Sequence, residues 1–235
     1  MVFLKFYFFN YFRVYYSEQE KKENMKKTLV ALGDSITVGT YTAPADKSAD
    51  SISSPNYVEL VKEALGYTEL INYAQNGTCI SPLKGPFPSD ALLFKFDKAV
   101  VGDAIIISAG TNDYAAEIPL GTLKDGCENT FLGASRLLFE KIKSKYTVKD
   151  VYVITPIKRE HDGKNGVGCN LSDYKEALAL LAQEFGYFVI DGYGVPIDPK
   201  NAEEKKKYML DGLHPGPEGH RLYAEYVISK IKARK

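Results

Sequence analysis

Apolar positions along this chain gather into short runs that alternate with amphipathic stretches. TLVALG (28–33), ELINYA (69–74), DAIIISAG (103–110), DVYVITP (150–156) and YFVIDGY (187–193) are the apolar runs. Runs that are apolar on both faces suit strands buried inside a parallel sheet. Between them, 56–66, 128–146, 172–186 and 217–235 carry apolar residues at helical spacing. The first of these follows Pro55 and ends in Gly66. The third is expected to open on Ser172 as its N-cap and to close at Gly186. The last ends in basic residues, as the helix dipole prefers. Strand–helix alternation predicts one doubly wound α/β domain from residue 25 onward, its sheet covered by helices on both sides. Ligands of such sheets sit beyond the carboxyl ends of the strands. Function is therefore expected in the loops after Gly33, Ala74, Ala109 and Pro156, and near the last helix.

Residues 1–24 break the pattern. MVFLKFYFFNYFRVYY is aromatic, and SEQEKKEN is polar and charged. Lys5, Asn10 and Arg13 interrupt the apolar stretch, and no small-residue cleavage site follows, which is poor for an export signal. The segment is expected to be an extension outside the fold, with translation starting at Met25 and the protein in the cytoplasm. The alternatives are an amphipathic surface anchor, or an export leader that would place the protein outside the cell.

Composition narrows the class. The chain has 235 residues, with 30 Lys+Arg against 30 Asp+Glu, so its formal charge is zero. That balance argues against a nucleic-acid binder driven by counterion release. No apolar run reaches the roughly 18 residues of a membrane span. Cys79, Cys127 and Cys169 form no CxxC, so structural zinc and a redox dithiol are not expected. Walker, dinucleotide, H-E-x-x-H and G-x-S-x-G motifs do not occur.

Chemistry concentrates in segments where predicted strands end or helices begin. Gly33-Asp34-Ser35 admits two readings: an N-capping serine in a turn, or a hydroxyl and backbone N–H exposed at the ligand edge. Asn76-Gly77 is either a hairpin turn or a loop whose Gly77 N–H is free for a ligand. Asn112, in Gly110-Thr111-Asn112-Asp113, is either a helix cap or a neutral side-chain donor toward an oxyanion. In Asp211-Gly212-Leu213-His214-Pro215, the carboxylate can hold the imidazole and fix its tautomer, or the segment is a surface turn. His214 alone combines an Asp three residues ahead of it with a place after the last strand; His161 comes after strand four, and His220 lies in the last helix with no carboxylate at that spacing. A serine, an Asp–His pair and two oxyanion candidates together make a complete acyl-transfer set.

These ordered segments resemble the blocks of the SGNH subgroup of the GDSL esterase/lipase family, over residues 28–230. Gly33-Asp34-Ser35-Ile36 matches the first block, with Ile36 in place of the usual Leu. Asn72-x-Ala74-x-x-Gly77, Gly110-x-Asn112-Asp113 and Asp211-x-x-His214-Pro215 match the others. The resemblance implies a flavodoxin-like, three-layer α/β/α fold with a five-stranded parallel sheet, and hydrolysis of a carboxylic ester without a cofactor. It implies Ser35 as nucleophile, His214 as base and Asp211 as its orienter. The oxyanion hole would comprise the Ser35 N–H, the Gly77 N–H and the Asn112 side chain. Tyr114 and Arg159 are candidates for lining the pocket, and Arg159 either pairs an anionic substrate group or is a solvated loop charge. The small, polar 40–55 segment favours a short acyl group or a sugar-bearing alcohol over a long lipid. Acyl transfer to an alcohol, or action on lysophospholipids or thioesters, are the alternatives within the same chemistry. A non-catalytic α/β binding module is the alternative outside it.

Overall fold

Each of the apolar runs becomes a strand of one parallel sheet. The computed structural model describes residues 27–43, 50–99, 101–145 and 150–234, so the expectations for residues 1–24 lie outside it. In chain order the elements are β1 (Thr28–Gly33), α1 (Ser35–Val38), β2 (Thr40–Thr42), β3 (Asp50–Ile52), α2 (Tyr57–Ala64) and β4 (Glu69–Asn72). Then come α3 (Leu92–Lys95), β5 (Ala104–Ser108), α4 (Thr111–Ala115), α5 (Phe131–Lys145) and β6 (Asp150–Ile154). The chain closes with α6 (Leu171–Glu184), β7 (Phe188–Ile190), α7 (Ala202–Tyr208) and α8 (Pro217–Ala233). The strand order is β4-β1-β5-β6-β7, and every neighbouring pair is parallel. This is the flavodoxin-like order.

Alternate strand residues serve opposite faces of the sheet. Val30, Leu32, Ile105, Ile107, Val151 and Val153 pack with residues of α3, α5 and α6. Leu29, Ala31, Ala104, Ile106, Tyr152 and Ile154 pack with α2 and α8. Burial of each large aliphatic side chain contributes roughly 1.5–3 kcal/mol. Both faces of the sheet therefore stabilise it, and the ends of its strands are held firmly.

Several boundaries differ from those the pattern predicts. Asn170, not Ser172, caps α6; its N–H donates to the Asp173 carboxylate at 2.7 Å, and Ser172 lies inside the first turn. Both residues are good caps, and the acidic group three positions on decides for Asn170. The helix expected from 128 starts at Phe131, because Thr130 is drawn into the preceding loop. Its hydroxyl donates to Asp125 at 2.9 Å and accepts from the Gly133 N–H at 3.1 Å. The segment after α1 carries an antiparallel pair, β2 and β3, that polar residues gave no reason to expect.

Candidate active site

The strand order fixes where a ligand can sit. β4 and β5 lie on opposite sides of β1, so the chain leaving β1 and the chain leaving β5 diverge and open a crevice at the carboxyl edge. Gly33, the last residue of β1, pairs with Ser108, the last of β5. Ser35 follows the first and Asn112 the second. A Cβ on Gly33 would lie 2.2 Å from Thr37 Oγ1, so glycine is what lets α1 start so close to the strand. Asp34 caps α1, its Oδ1 accepting from the Ile36 N–H at 3.0 Å. The serine is therefore not the cap. It is the first helical residue, and its N–H has no acceptor within the helix.

The Asp211–His214 loop meets this serine from the other side of the crevice. Ser35 Oγ lies 2.9 Å from His214 Nε2, and His214 Nδ1 lies 2.7 Å from Asp211 Oδ2. Asp211 Oδ1 accepts from the N–H groups of Leu213 and His214 at 2.9 and 2.8 Å. Thr42 of β2 donates its hydroxyl to Asp211 Oδ2 at 3.2 Å. Partial burial works to raise the Asp211 pKa. The His214 side chain, the two N–H donors and the imidazole charge outweigh it and hold the carboxyl well below the usual range. Asp211 is thus an anion with both oxygens occupied, a firm support for the ring.

The other expected residues gather on the far side of Ser35. Gly77 has φ +74°, and a Cβ there would lie 2.8 Å from Pro86 Cγ, so this turn requires glycine. It is not a hairpin turn, and its N–H takes no backbone partner among the described residues. Asn112 lies inside α4, whose cap is Gly110, so it is not a cap either. Its Nδ2 donates to Thr78 O at 3.0 Å, leaving the second amide proton free of a protein partner among the described residues.

Asp113, which the sequence placed only as part of a motif, is what holds these pieces together. It is fully buried, and its carboxylate accepts from the Ile80 and Ser81 N–H groups at 3.0 Å. It thereby clamps the 77–81 loop onto α4. Burial pushes its pKa up to about 7, against those hydrogen bonds. Asp34, also buried, is pushed up to about 6, against the Ile36 N–H and the charges of His214 and Arg159. Thr42 was missed as well, and nothing in its polar surroundings in the sequence marks it.

Tyr114 and Arg159 lie together. Tyr114 is buried, with its hydroxyl donating to Gly163 O at 2.7 Å. The Arg159 guanidinium lies over its ring, 5.6 Å from the centroid, and Nη1 reaches Thr111 Oγ1 at 3.4 Å.

A flavodoxin-like sheet with a serine, a histidine and a carboxylate in hydrogen-bonded series at its carboxyl edge defines an α/β/α hydrolase. The profile of the GDSL-like lipase/acylhydrolase family matches residues 31–222, and the chain belongs to that family, hydrolases that act on esters. Among solved structures, a Lactobacillus plantarum protein is similar, at 25% identity and a TM-score of 0.75, covering 89% of this chain and 98% of that one. A lipase/acylhydrolase from Enterococcus faecalis matches at 22% identity and a TM-score of 0.60, covering 88% and 96%. An acetyl-xylooligosaccharide esterase from a Geobacillus species matches at 19% identity and a TM-score of 0.57, covering 88% and 96%. No curated protein sequence matches the chain significantly. Among the described residues, no helix is long and apolar enough to cross a membrane.

Proposed function

We propose that the protein is a serine esterase acting on a small-acyl or sugar-linked carboxylic ester. The observation that carries this is the unbroken series Ser35 Oγ, His214 Nε2, His214 Nδ1 and Asp211 Oδ2, with contacts of 2.9 and 2.7 Å. Ser35 Oγ attacks the ester carbonyl while His214 Nε2 takes its proton. Asp211 keeps the Nδ1–H tautomer and stabilises the imidazolium that forms. The Ser35 N–H, the Gly77 N–H and the Asn112 amide hold the tetrahedral oxyanion. His214 then protonates the leaving alcohol, and water activated in the same way releases the acid. Tyr114 supports the pocket wall through its ring, on which Arg159 rests.

A short acyl group or a sugar alcohol suits the surroundings. Around the Asp211 side of the site the side chains are polar: Thr42 donates its hydroxyl to Asp211 at 3.2 Å, and Thr40, on the same strand, donates to Asn76 Oδ1 at 2.8 Å. Polar residues of this kind offer partners to hydroxyl groups and little apolar surface to a long chain. The Geobacillus neighbour acts on acetylated xylooligosaccharides, a substrate of the same type. A panel of p-nitrophenyl esters of rising chain length, with acetylated xylosides, tests the reading. Acetyl and propionyl esters or acetylated sugars are expected to lead, and a preference for octanoyl or longer would overturn the substrate assignment.

A further inference from the structure

We propose that Arg159 and the cleft beside it form an anion subsite, so that the preferred substrate is an ester that also carries a carboxylate or a phosphate. This rests on the esterase reading above and names its substrate class more closely.

The first observation is an unbalanced charge. Arg136, Arg221 and Arg234 pair with Glu184, Glu218 and Asp150 respectively. Arg159 has no carboxylate partner among the described residues. Its polar contact is a hydroxyl, Thr111 Oγ1, and its flat face is taken by the Tyr114 ring. Burial works against its charge, and the adjoining Tyr114 with the carboxylates of Asp211, Asp162 and Asp34, none of them paired with it, opposes that effect. A half-buried guanidinium is costly to leave without a counter-ion, and a planar fork held by stacking is prepared for a bidentate oxyanion.

The second observation is position. Arg159 lies just beyond β6, at the ligand edge. Its neighbour Glu160 donates its N–H to Gly212 O at 2.8 Å, so this segment is bonded directly to the loop that carries Asp211 and His214. Thr111, which the guanidinium touches, immediately precedes Asn112. Arg159 therefore bridges the histidine side and the asparagine side of the site.

The third is space. A cleft of about 230 Å³ opens beside Arg159, lined also by Lys158, Asp162, Tyr193, Asp198 and Lys200. Lys200 pairs with Asp162 at 2.8 Å, and the other charges lining the cleft are Lys158, Arg159 and Asp198. The cleft is smaller than the roughly 300–1,000 Å³ of a whole ligand pocket. It suits one charged group on a short arm, with the ester carbonyl left at Ser35.

Matched ester pairs test this. Mono-p-nitrophenyl succinate against p-nitrophenyl butyrate places a carboxylate on the acyl side. 2-Acetoxyethyl phosphate against 2-acetoxyethanol places a phosphate on the alcohol side. The anionic member of one pair is expected to lead by tenfold or more in kcat/KM, chiefly through KM, with the advantage shrinking as salt rises. Arg159→Gln should collapse that ratio toward one, and Arg159→Lys should keep part of it. A ratio near one for both pairs in the native enzyme overturns the proposal. So does an Arg159→Gln variant that slows both members of a pair equally. Calorimetric binding of succinate and inorganic phosphate to Ser35→Ala keeps the subsite testable apart from catalysis. Binding that Arg159→Gln removes supports the subsite, and absence of binding by either anion overturns it. Failure to cleave any ester while one of these anions still binds would instead count against the esterase reading.

Discussion

The loop that carries His214 and the helix turn that carries His220 are close in sequence and opposite in chemistry. His214 is partly exposed and lies between a carboxylate and a hydroxyl, Asp211 on Nδ1 and Ser35 on Nε2. His220, on α8, is fully buried. Its Nδ1 accepts from the Tyr57 N–H at 3.3 Å, its ring stacks with Tyr57, and its Nε2 has no partner among the described residues. Burial first, and then the charge of His214, pushes its pKa down to about 4. In the proposed mechanism one imidazole carries protons; the other is a neutral packing group that satisfies an orphan donor at the start of α2. The carboxylate partner and the access to solvent make the difference, not the residue type.

The sharpest way to break this comparison is to remove each ring in turn. His214→Ala should lower kcat/KM for p-nitrophenyl acetate by about 10⁴–10⁶-fold with little change in Tm. His220→Ala should do the reverse, costing roughly 1–3 kcal/mol of stability from a cavity and an unsatisfied N–H. Its activity per folded molecule should stay near that of the native enzyme. A His220→Ala variant that loses more activity than His214→Ala would reverse the roles.

A smaller effect separates the groups on the oxyanion side. Asn112→Ala should reduce kcat by about 10²–10³-fold with KM little changed, because its contact tightens only in the transition state. Asp113→Asn replaces an acceptor with an amide that faces backbone donors, and should loosen the 77–81 loop. About a tenfold loss is expected, from one disturbed buried hydrogen-bond set. Steady-state kinetics of the two variants rank them, and an Asp113 variant worse than Asn112→Ala would make the carboxylate more than a clamp.

How much of this was legible beforehand depends on the kind of signal. The strands were legible because residues such as Ile105, Ile106 and Ile107 are apolar on both faces, a pattern that fits few other environments. Ser35, His214 and Asp211 stood out because ordered motifs place the serine just after a strand and the Asp–His pair just before a helix, and the structure brings them within hydrogen-bond reach. The β2–β3 pair was not legible. Thr40–Thr42 and Asp50–Ile52 are short and largely polar, and what places β2 beside the site is contact with Asn76 and Asp211, far along the chain. The motif that contains Asp113 was visible, but not its hold on Ile80 and Ser81. Arg159 stood out as a charge, while its seat on Tyr114 and Thr111 depends on how loops after different strands converge.

A further effect is expected in acid. The His220 pKa falls from 6.5 in the unfolded chain to about 4 in the fold. Its contribution to stability is therefore present above about pH 6.5 and is lost as pH falls through 4. The raised pKa values of Asp34 and Asp113 act with the opposite sign, since those carboxyls bind protons more readily in the fold. Comparing urea unfolding of the native protein and His220→Gln from pH 7 to 4 cancels the carboxyl effects. The native protein should lose stability relative to the variant as pH falls, and a constant difference would contradict the assigned environment of His220.

The central claim is that Ser35 is the nucleophile, activated by His214. Mass spectrometry after reaction with a fluorophosphonate tests it most directly. The account predicts one adduct per chain, on the peptide bearing Ser35, abolished in Ser35→Ala and formed far more slowly in His214→Ala. An adduct on another residue, with ester hydrolysis surviving in Ser35→Ala, would contradict it.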